Sequence, residues 1–213
     1  MELKGKRVRI APLKLEDVYA MRNWGTHENP LLFDYNLPPL TDEELKNWHY
    51  YKTSERNRKY FSIFDEDHRL IGYLGIKSIR KIFKDSVLGI VFDPNNVNKG
   101  YGTEAITTFL DYYFNEMNMR KMYLDVAKFN KRALRCYKKS GFKIINLYLD
   151  DFFDQNIDVN NSYFVKEKSS FIIKKGRIYN YIYRMKIDKA TYLKERDKID
   201  TTKSKNQTKP NIE

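Results

Sequence analysis

The amino-acid sequence predicts an α/β or α+β fold built on a sheet of mixed strand direction. Three observations predict it. Segments with the two-residue period of strands are interspersed with segments of helical period. Two of the strands are joined by a short polar turn, as in a hairpin. A glycine loop follows the fourth strand, whereas a doubly wound dinucleotide fold carries its glycine loop after the first.

The first elements are a strand and two helices. Residues Arg7–Leu13 alternate polar and apolar side chains, as a half-buried strand does. The spacing of apolar residues in Leu15–Trp24 predicts a helix. We expect His27–Leu40 to be irregular because its prolines interrupt regular structure. Thr41 begins the second helix, since Thr41 and Glu44 have the spacing of a capping box.

Three strands form the middle of the chain. Tyr60–Phe64 and Leu70–Ile79 are rich in apolar residues and are joined by the polar turn Asp65–His68, so they form a hairpin. Ser86–Phe92 is a third strand, which ends before an Asp-Pro pair.

The glycine loop, Asn95–Gly102, leads into a helix whose apolar residues recur at helical spacing. Met122–Val126 is the next strand. Asn130–Ser140 forms a helix that ends at Gly141, a residue favoured just after a helix. Phe142–Leu149 then forms another strand.

The segment Asp150–Ser170 is rich in Asp and Asn and is predicted to be an insertion. Phe171–Ile173 and Ile178–Ile187 form a closing hairpin around a Lys-Lys-Gly turn. We therefore expect one domain over residues 1–187. Residues 188–213 should add a short helix and a disordered polar tail.

The composition excludes several classes of protein. Hydrophobic residues make up 41% of the chain, enough for a sizeable core. No apolar run reaches the roughly 18 residues of a membrane span, and the N-terminus lacks the apolar stretch of a signal peptide. Cys136 is the single cysteine and is expected to pack internally, and the three scattered histidines indicate no metal site. We expect a cytoplasmic protein.

The formal net charge of +12 has two interpretations. One is a lysine-rich solvated surface. The other is an anionic partner, such as nucleic acid, the ribosome or a phosphate-rich cofactor. The charges are spread out, and no known nucleic-acid-binding motif is present, so nucleic acid is not the expected partner.

The glycine loop is a candidate anion site. Gly100 and Gly102 allow close approach of the backbone and a positive φ. The start of the following helix presents unpaired N–H groups and the positive end of its dipole, which together bind phosphate. Lys99 adds a cation. A G-x-G pattern is also common in turns with a purely structural role, so the loop alone leaves both interpretations open.

Two segments that include or follow the glycine loop match motifs of a known family. Residues 98–106, Asn-Lys-Gly-Tyr-Gly-Thr-Glu-Ala-Ile, resemble motif A of the GNAT superfamily, whose Q/R-x-x-G-x-G/A signature wraps the pyrophosphate of acetyl-CoA. Residues 130–142 resemble motif B, N-x-x-A-x-x-x-Y-x-x-x-G-F. The resemblance covers about residues 6–187, less the insertion. It is closest to the branch of ribosomal-protein Nα-acetyltransferases and spermidine acetyltransferases.

The resemblance implies the GNAT acyl-CoA acyltransferase fold, with a central, mixed but mostly antiparallel sheet flanked by helices. It also implies acetyl-CoA as co-substrate. The cofactor-binding residues that it implies are Phe92, Val97, Asn98, Lys99, Gly100, Tyr101, Gly102, Thr103, Asn130, Ala133 and Tyr137. Val97 is a departure, because the family usually has Gln or Arg there. Backbone N–H groups make most of the phosphate contacts, so the site is retained.

Acetyl transfer needs a deprotonated amine, a donor for the oxyanion and a proton for the leaving thiolate. Tyr137 is the candidate general acid, because Asn130, Ala133 and Tyr137 share one helix face. A core tyrosine is the alternative for Tyr137, and a helix N-cap is the alternative for Asn130. The resemblance assigns backbone N–H groups around Ile90–Phe92 to the carbonyl oxygen.

The general base is not identified. Many relatives in the family carry Glu before a Leu-Gly pair, whereas here Val87 precedes Leu88–Gly89. Glu28 and Asp34 lie where substrate enters in this family, so they are the candidate acceptor-binding residues. His27 has a suitable pKa for the task. A surface position is the alternative for each.

An acidic patch in the insertion also has two interpretations. It is either a solvated loop or a surface that attracts a cationic amine. Its members are Asp150, Asp151, Asp154 and Asp158.

The function predicted is transfer of the acetyl group of acetyl-CoA to a primary amine, on a small molecule or a protein N-terminus, by direct attack. The alternatives are a polyamine acetyltransferase of the spermidine type and a weakly catalytic acyl-CoA-binding regulatory protein. The acceptor loops vary within the family, so the amine stays open. The insertion and the final strand are candidates for a homodimer edge.

Overall fold

The computed structural model describes residues 1–194 and 196. The strands in this part of the chain are β1 (Leu3–Lys4), β2 (Arg9–Pro12), β3 (Lys59–Phe64), β4 (Leu70–Arg80), β5 (Asp85–Phe92), β6 (Lys121–Ala127), β7 (Lys143–Asp151), β8 (Phe171–Lys174) and β9 (Arg177–Asp188). They form one sheet in the order β1-β2-β3-β4-β5-β6-β9-β7, and β8 pairs with β9 beside this path.

The sheet is antiparallel except where β5 meets β6, which run parallel. The predicted mixed α/β fold with a mostly antiparallel sheet is therefore confirmed. Strand β1 is not predictable from the sequence, because two residues are too few to show a period.

Helices cover both faces of the sheet. They are α1 (Leu15–Ala20), α2 (Asp42–Thr53), α3 (Tyr101–Asp111), α4 (Lys131–Lys139) and α5 (Ser162–Lys166). On one face, α1 and α2 bury Val18 and Leu45 against Tyr60 of β3. On the other face, which we call the α3 face, α3 and α4 pack on the main core. Strand residues divide between the two faces because successive side chains point to opposite sides of a strand.

The segment between α1 and α2 is more regular than its prolines predict. Residues Pro30–Tyr35 form a 3₁₀ helix, although prolines were expected to keep this segment irregular. Pro30 occupies the first turn, where its missing N–H is not needed, and the Asn29 side chain accepts a hydrogen bond from the Leu31 N–H at 3.0 Å. The capping box of Thr41 and Glu44 is confirmed.

The predicted insertion is only partly a loop. Asp150 and Asp151 belong to β7, so the irregular part begins after them. The remainder carries α5 and a small aromatic core, in which Phe164 stacks on Phe171 with ring centroids 4.4 Å apart. Leu31 of the 3₁₀ helix belongs to the same core. The insertion therefore supports the segment between α1 and α2.

The closing hairpin is confirmed. Its second strand, β9, is paired by β6 on one side and by β7 on the other, so the final strand does not form the predicted dimer edge. Lys175 and Gly176 have φ of +50° and +76°, the signs that a two-residue type I′ turn needs. Residues 189–194 are helical, and Tyr192 packs in the main core. The predicted disordered tail, residues 201–213, lies outside the described residues. Within the described chain, no helix has the length and apolar character needed to cross a bilayer.

Candidate active site

A split in the sheet forms the site. β5 and β6 pair at three positions, the last being Val87 opposite Tyr123, and no further pair joins them among the described residues. β5 continues to Phe92 and β6 continues to Ala127, so the strands diverge. A cavity of about 350 Å³ lies at this split and is lined by both strands, the first turn of α3 and one face of α4.

The backbone of β5 presents donors to the split. The Asp93 N–H donates to the Ile71 carbonyl oxygen at 2.9 Å. Hydrogen-bonding direction alternates along an antiparallel strand, and the β4–β5 register is continuous here. The N–H groups of Ile90 and Phe92 therefore point away from β4, toward the split. An oxygen that develops negative charge could be bound there.

The glycine loop bends sharply before α3. Asn98 has φ +64° and Gly100 has φ +88°. Gly100 is the N-cap of α3 and supplies no side-chain cap, so the N–H groups of the first turn are left to a ligand. The structure corrects one expectation, since Gly102 lies inside this first turn rather than in the loop. A Cβ at Gly102 would lie 3.2 Å from the Cys136 Sγ, so glycine permits the close approach of α4.

The structure gathers the predicted cofactor residues around the cavity, with the exception of Lys99. Those that line it are Phe92, Val97, Asn98, Gly100, Tyr101, Gly102, Thr103, Asn130, Ala133 and Tyr137. Lys99 instead holds the loop. Its Nζ donates to the Asn96 Oδ1 at 2.9 Å, and its carbonyl accepts from Arg7 at 3.1 Å.

Helix α4 carries Tyr137 into the cavity. The Asn130 Oδ1 accepts a hydrogen bond from the Ala133 N–H at 3.1 Å, so Asn130 is the helix N-cap as well as a cavity residue. Tyr137 is 8% exposed. Burial raises the pKa of Tyr137, and the neighbouring Tyr35 adds to this, so the phenol keeps its proton at neutral pH.

Several lining residues were not singled out from the sequence. Three are cations on α4, at positions 132, 135 and 139. Burial lowers the pKa of Arg132, although a guanidinium stays charged. Polar examples elsewhere are Tyr35, Asn96 and Asp125. Cys136, which was expected to pack internally, also lines the cavity. Helical spacing of the α4 cations was a usable signal. Tyr35 and Asp125 reach the cavity only through the fold.

Of the candidate residues for amine binding and deprotonation, only some line the cavity. His27 lines the cavity, and its ring meets that of Tyr35 edge-on at 6.5 Å. Burial and the Arg132 charge lower the pKa of His27, so it is neutral at pH 7. Glu28 and Asp34 are exposed and lie outside the cavity lining. The Asp34 charge helps to raise the pKa of Tyr35, after burial, so its carboxylate lies near that ring.

The aspartates of the predicted acidic patch lie outside the cavity lining. Asp151 forms an ion pair with Arg177 at 2.7 Å. Asp154 and Asp158 accept hydrogen bonds from backbone N–H groups two residues further on, at 3.0 and 2.9 Å. Such contacts stabilise turns, which favours a structural role for this segment.

Comparison with known proteins gives a consistent result. Residues 7–143 match the family described as the acetyltransferase (GNAT) domain. Spermidine N(1)-acetyltransferase of Vibrio cholerae is 31% identical over 167 residues, which cover 76% of this chain and 95% of that protein. The spermidine N(1)-acetyltransferase of Escherichia coli is 24% identical over 146 residues, covering 68% of this chain and 78% of that protein.

Solved structures share the fold. The spermidine N-acetyltransferase of Vibrio cholerae in complex with CoA and spermine superposes with a TM-score of 0.67 at 23% identity, covering 88% of this chain and 98% of that one. A dodecameric structure of spermidine N-acetyltransferase from the same organism gives a TM-score of 0.61 at 21% identity, covering 88% of this chain and 96% of that one.

Proposed function

Because the chain belongs to the GNAT acetyltransferase family and is an acetyl-CoA-dependent N-acetyltransferase, we propose that its acceptor is a primary amine of a polyamine of the spermidine type. The observation that carries the proposal is the 31% identity to the Vibrio cholerae spermidine N(1)-acetyltransferase across 95% of that protein. A protein N-terminus is the competing acceptor, and the acceptor assay below separates the two.

The residues of the cavity fit an acyl-CoA. We propose that the N–H groups of the first turn of α3 bind its pyrophosphate, since Gly100 leaves them uncapped. The cations Arg132, Arg135 and Lys139 line the same cavity, and none forms an ion pair within the described part of the chain. They therefore suit the phosphate groups of the cofactor. The bound thioester supplies the acetyl group, and the chain supplies binding and proton transfer.

We propose a direct transfer. The amine nitrogen forms a bond to the acetyl carbon while the bond from that carbon to sulfur breaks. The N–H groups of Ile90 and Phe92 stabilise the charge on the carbonyl oxygen. The Tyr137 hydroxyl donates its proton to the leaving sulfur. Burial supports this role, because it keeps the phenol protonated.

We propose His27 as the residue that accepts the proton of the acceptor ammonium. It lines the cavity and is neutral at pH 7, as a base must be. Glu28 and Asp34 lie at the outer side of the segment that carries His27. We propose that they attract the cationic acceptor, because Asp34 lies near Tyr35 at the cavity.

The acceptor assay measures CoA release with a panel of amines. The panel contains spermidine, spermine, putrescine, butylamine and a short peptide with a free N-terminus. We expect kcat/KM for spermidine to exceed that for butylamine at least about tenfold, as one additional charged contact would give. A preference for the peptide would contradict the polyamine proposal. Binding of acetyl-CoA without turnover on any amine would support a regulatory protein instead.

We also propose a homodimer through β7. This strand is the last in the sheet, so one of its edges is unpaired by the described chain. Its exposed apolar side chains are Ile144 (40%), Ile145 (49%), Leu147 (46%) and Leu149 (42%). A long apolar edge strand is normally covered, because it otherwise aggregates. Light scattering tests the proposal. We expect a dimer in the wild type and a monomer in Leu147→Lys, and a wild-type monomer would contradict it.

The extent of the catalytic domain and the location of the protein are also proposals. We propose that residues 1–187 form the catalytic domain, because the cavity, the aromatic core of the insertion and all of the sheet except Asp188 fall within them. We propose that the protein acts in the cytoplasm. The single cysteine supports this location, because disulfides are rare in the cytoplasm.

A further inference from the structure

Asp125 is a carboxylate at the split that none of the preceding assignments uses. It lies on β6, two residues beyond Tyr123, the last residue of β6 that pairs with β5. It lines the same cavity as Tyr137. Its neighbours Leu124 and Val126 are buried in the main core, on the α3 face. Alternation along the strand therefore places the Asp125 side chain on the opposite face of the sheet.

This opposite face is open next to Asp125. Leu88, Ile90 and Phe92 of β5 pack toward the main core, so Gly89 faces the other way. Gly89 also lines the cavity. A Cβ built on Gly89 would meet only the Lys77 side chain, at 3.9 Å, so free space lies above this residue. The split thus has a mouth on this face, with Gly89 on its floor and Asp125 on its β6 side.

The two sides of the split suit different substrates. The uncapped N–H groups of the first turn of α3 and the cations of α4 lie on the α3 face, so the anionic cofactor enters from there. A second substrate that reaches the thioester without displacing the cofactor must come from the opposite face. The side chain there with a charge opposite to an ammonium group is Asp125, among the described residues that line the cavity.

Asp125 is also held in place. The Arg184 guanidinium donates to its Oδ2 at 2.5 Å, from the directly opposite position on β9. Burial, followed by the Asp125 charge, raises the pKa of Tyr148 to about 12, so this phenol lies beside the carboxylate and keeps its proton. A carboxylate can accept about four hydrogen bonds. Asp125 therefore keeps acceptor capacity for a ligand while its position is fixed.

We propose that Asp125 binds an ammonium group of the acceptor amine at the mouth of the split on the face opposite α3. This inference rests on the proposed function for the chemistry of the acceptor, a primary alkylamine, but it does not require a polyamine. It adds a specificity-determining residue that orients the amine, and Tyr137 remains the proton donor.

The test compares steady-state kinetics of the wild type and Asp125→Asn, with spermidine and with butylamine as acceptors. We expect KM for the acceptor to rise about 10- to 100-fold, the loss expected for a hydrogen bond to a charged group. The KM for acetyl-CoA should stay within about twofold. Asp125→Glu should recover part of the acceptor affinity, which a purely structural role would not require.

Two matched controls keep the test specific. Asp151→Asn removes another aspartate that is paired with an arginine, at 2.7 Å from Arg177 but outside the cavity lining. It should leave KM for the acceptor unchanged. Arg184→Gln breaks the Asp125 ion pair while keeping the carboxylate. It should leave KM for the acceptor unchanged or lower it, whereas a structural role for the pair predicts the same rise as in Asp125→Asn.

The outcomes separate this inference from the polyamine proposal. Acetylation of butylamine but not spermidine by the wild type contradicts the polyamine proposal, and the Asp125 variants are then compared on butylamine. An unchanged acceptor KM in Asp125→Asn overturns the inference and leaves the polyamine proposal standing. A KM rise of the same size in Arg184→Gln or Asp151→Asn also overturns it. A wild type that acetylates neither amine overturns both.

Discussion

The Cys136 Sγ lies 3.4 Å from the Thr103 Oγ1, so α4 contacts the first turn of α3 directly behind the glycine loop. A Cβ at Gly102 would lie 3.2 Å from the Cys136 Sγ, so a side chain there would crowd α4. We expect Gly102→Val to weaken acetyl-CoA binding at least about tenfold, because the added methyl groups enter the cavity and push α4 away. Calorimetry measures the change.

The double variant Gly102→Val with Cys136→Ala is the informative control. Removing the sulfur should restore part of the affinity, since the Cys136 Sγ is the nearest obstacle, at 3.2 Å. Gly176→Asn is a second control, because this hairpin glycine lies outside the cavity lining and Asn tolerates a positive φ. Equal loss of binding in Gly176→Asn would contradict the explanation.

Tyr137→Phe tests the proposed proton donor. We expect kcat to fall about 100-fold or more, the usual contribution of a general acid, while the Kd for CoA stays nearly unchanged. Burial raises the pKa of Tyr137, so the wild-type kcat should not decline through this group below about pH 10. Tyr50→Phe, at an exposed position on α2, is the control. A kcat loss under about threefold in Tyr137→Phe would show that Tyr137 packs in the core and is not the proton donor.

Arg135→Gln tests the cations of α4. We expect the Kd for CoA to rise about tenfold at low salt, with a smaller ratio at high salt because screening weakens the lost contact. Lys138→Gln on the same helix is the matched control, since Lys138 is exposed and outside the cavity lining. Identical effects of the two variants would show a general charge effect rather than a phosphate contact.

The pKa of His27 is lowered in the folded protein, chiefly by burial, so the unfolded chain binds its proton more readily. The contribution of His27 to the free energy of unfolding is therefore largest above the ordinary pKa of about 6.5 and is lost as the pH falls below it. The Tm of the wild type should fall as the pH is lowered through this window, and the Tm of His27→Gln should fall less. Parallel curves for the two proteins would argue against a partly buried, neutral His27.

The same variant reports on catalysis. With His27 as the proton acceptor, the acidic limb of kcat/KM in the wild type should follow a group whose pKa lies below about 6.5. His27→Gln should lower the rate and remove that limb. A limb that persists in the variant would assign proton removal to water or to another group.

Phe164→Ala tests how the insertion supports the acceptor side. We expect a loss of about 3–5 kcal/mol in unfolding free energy, as for a buried Phe in an aromatic core. Amide hydrogen exchange should increase in the 3₁₀ helix Pro30–Tyr35, because Leu31 packs in the same core. Tyr163→Ala, at the exposed neighbouring position, is the control. Unchanged exchange in Phe164→Ala would show that the insertion does not stabilise this 3₁₀ helix.

Features that depend on neighbouring residues could be predicted from the sequence. The shared helix face of Asn130, Ala133 and Tyr137 follows from helical period, and the capping box at Thr41 follows from a fixed spacing. The GNAT family was predicted from two motifs and is confirmed by the match over residues 7–143.

The tertiary structure decided what depends on distant contacts. Asp125 reaches the split because β6 leaves β5 after Tyr123, and strand register is a property of two segments far apart in sequence. The 3₁₀ helix at Pro30 forms where Leu31 is buried by the insertion, more than a hundred residues later. Local period fixes which side of an element a residue occupies, but only packing fixes what that side faces.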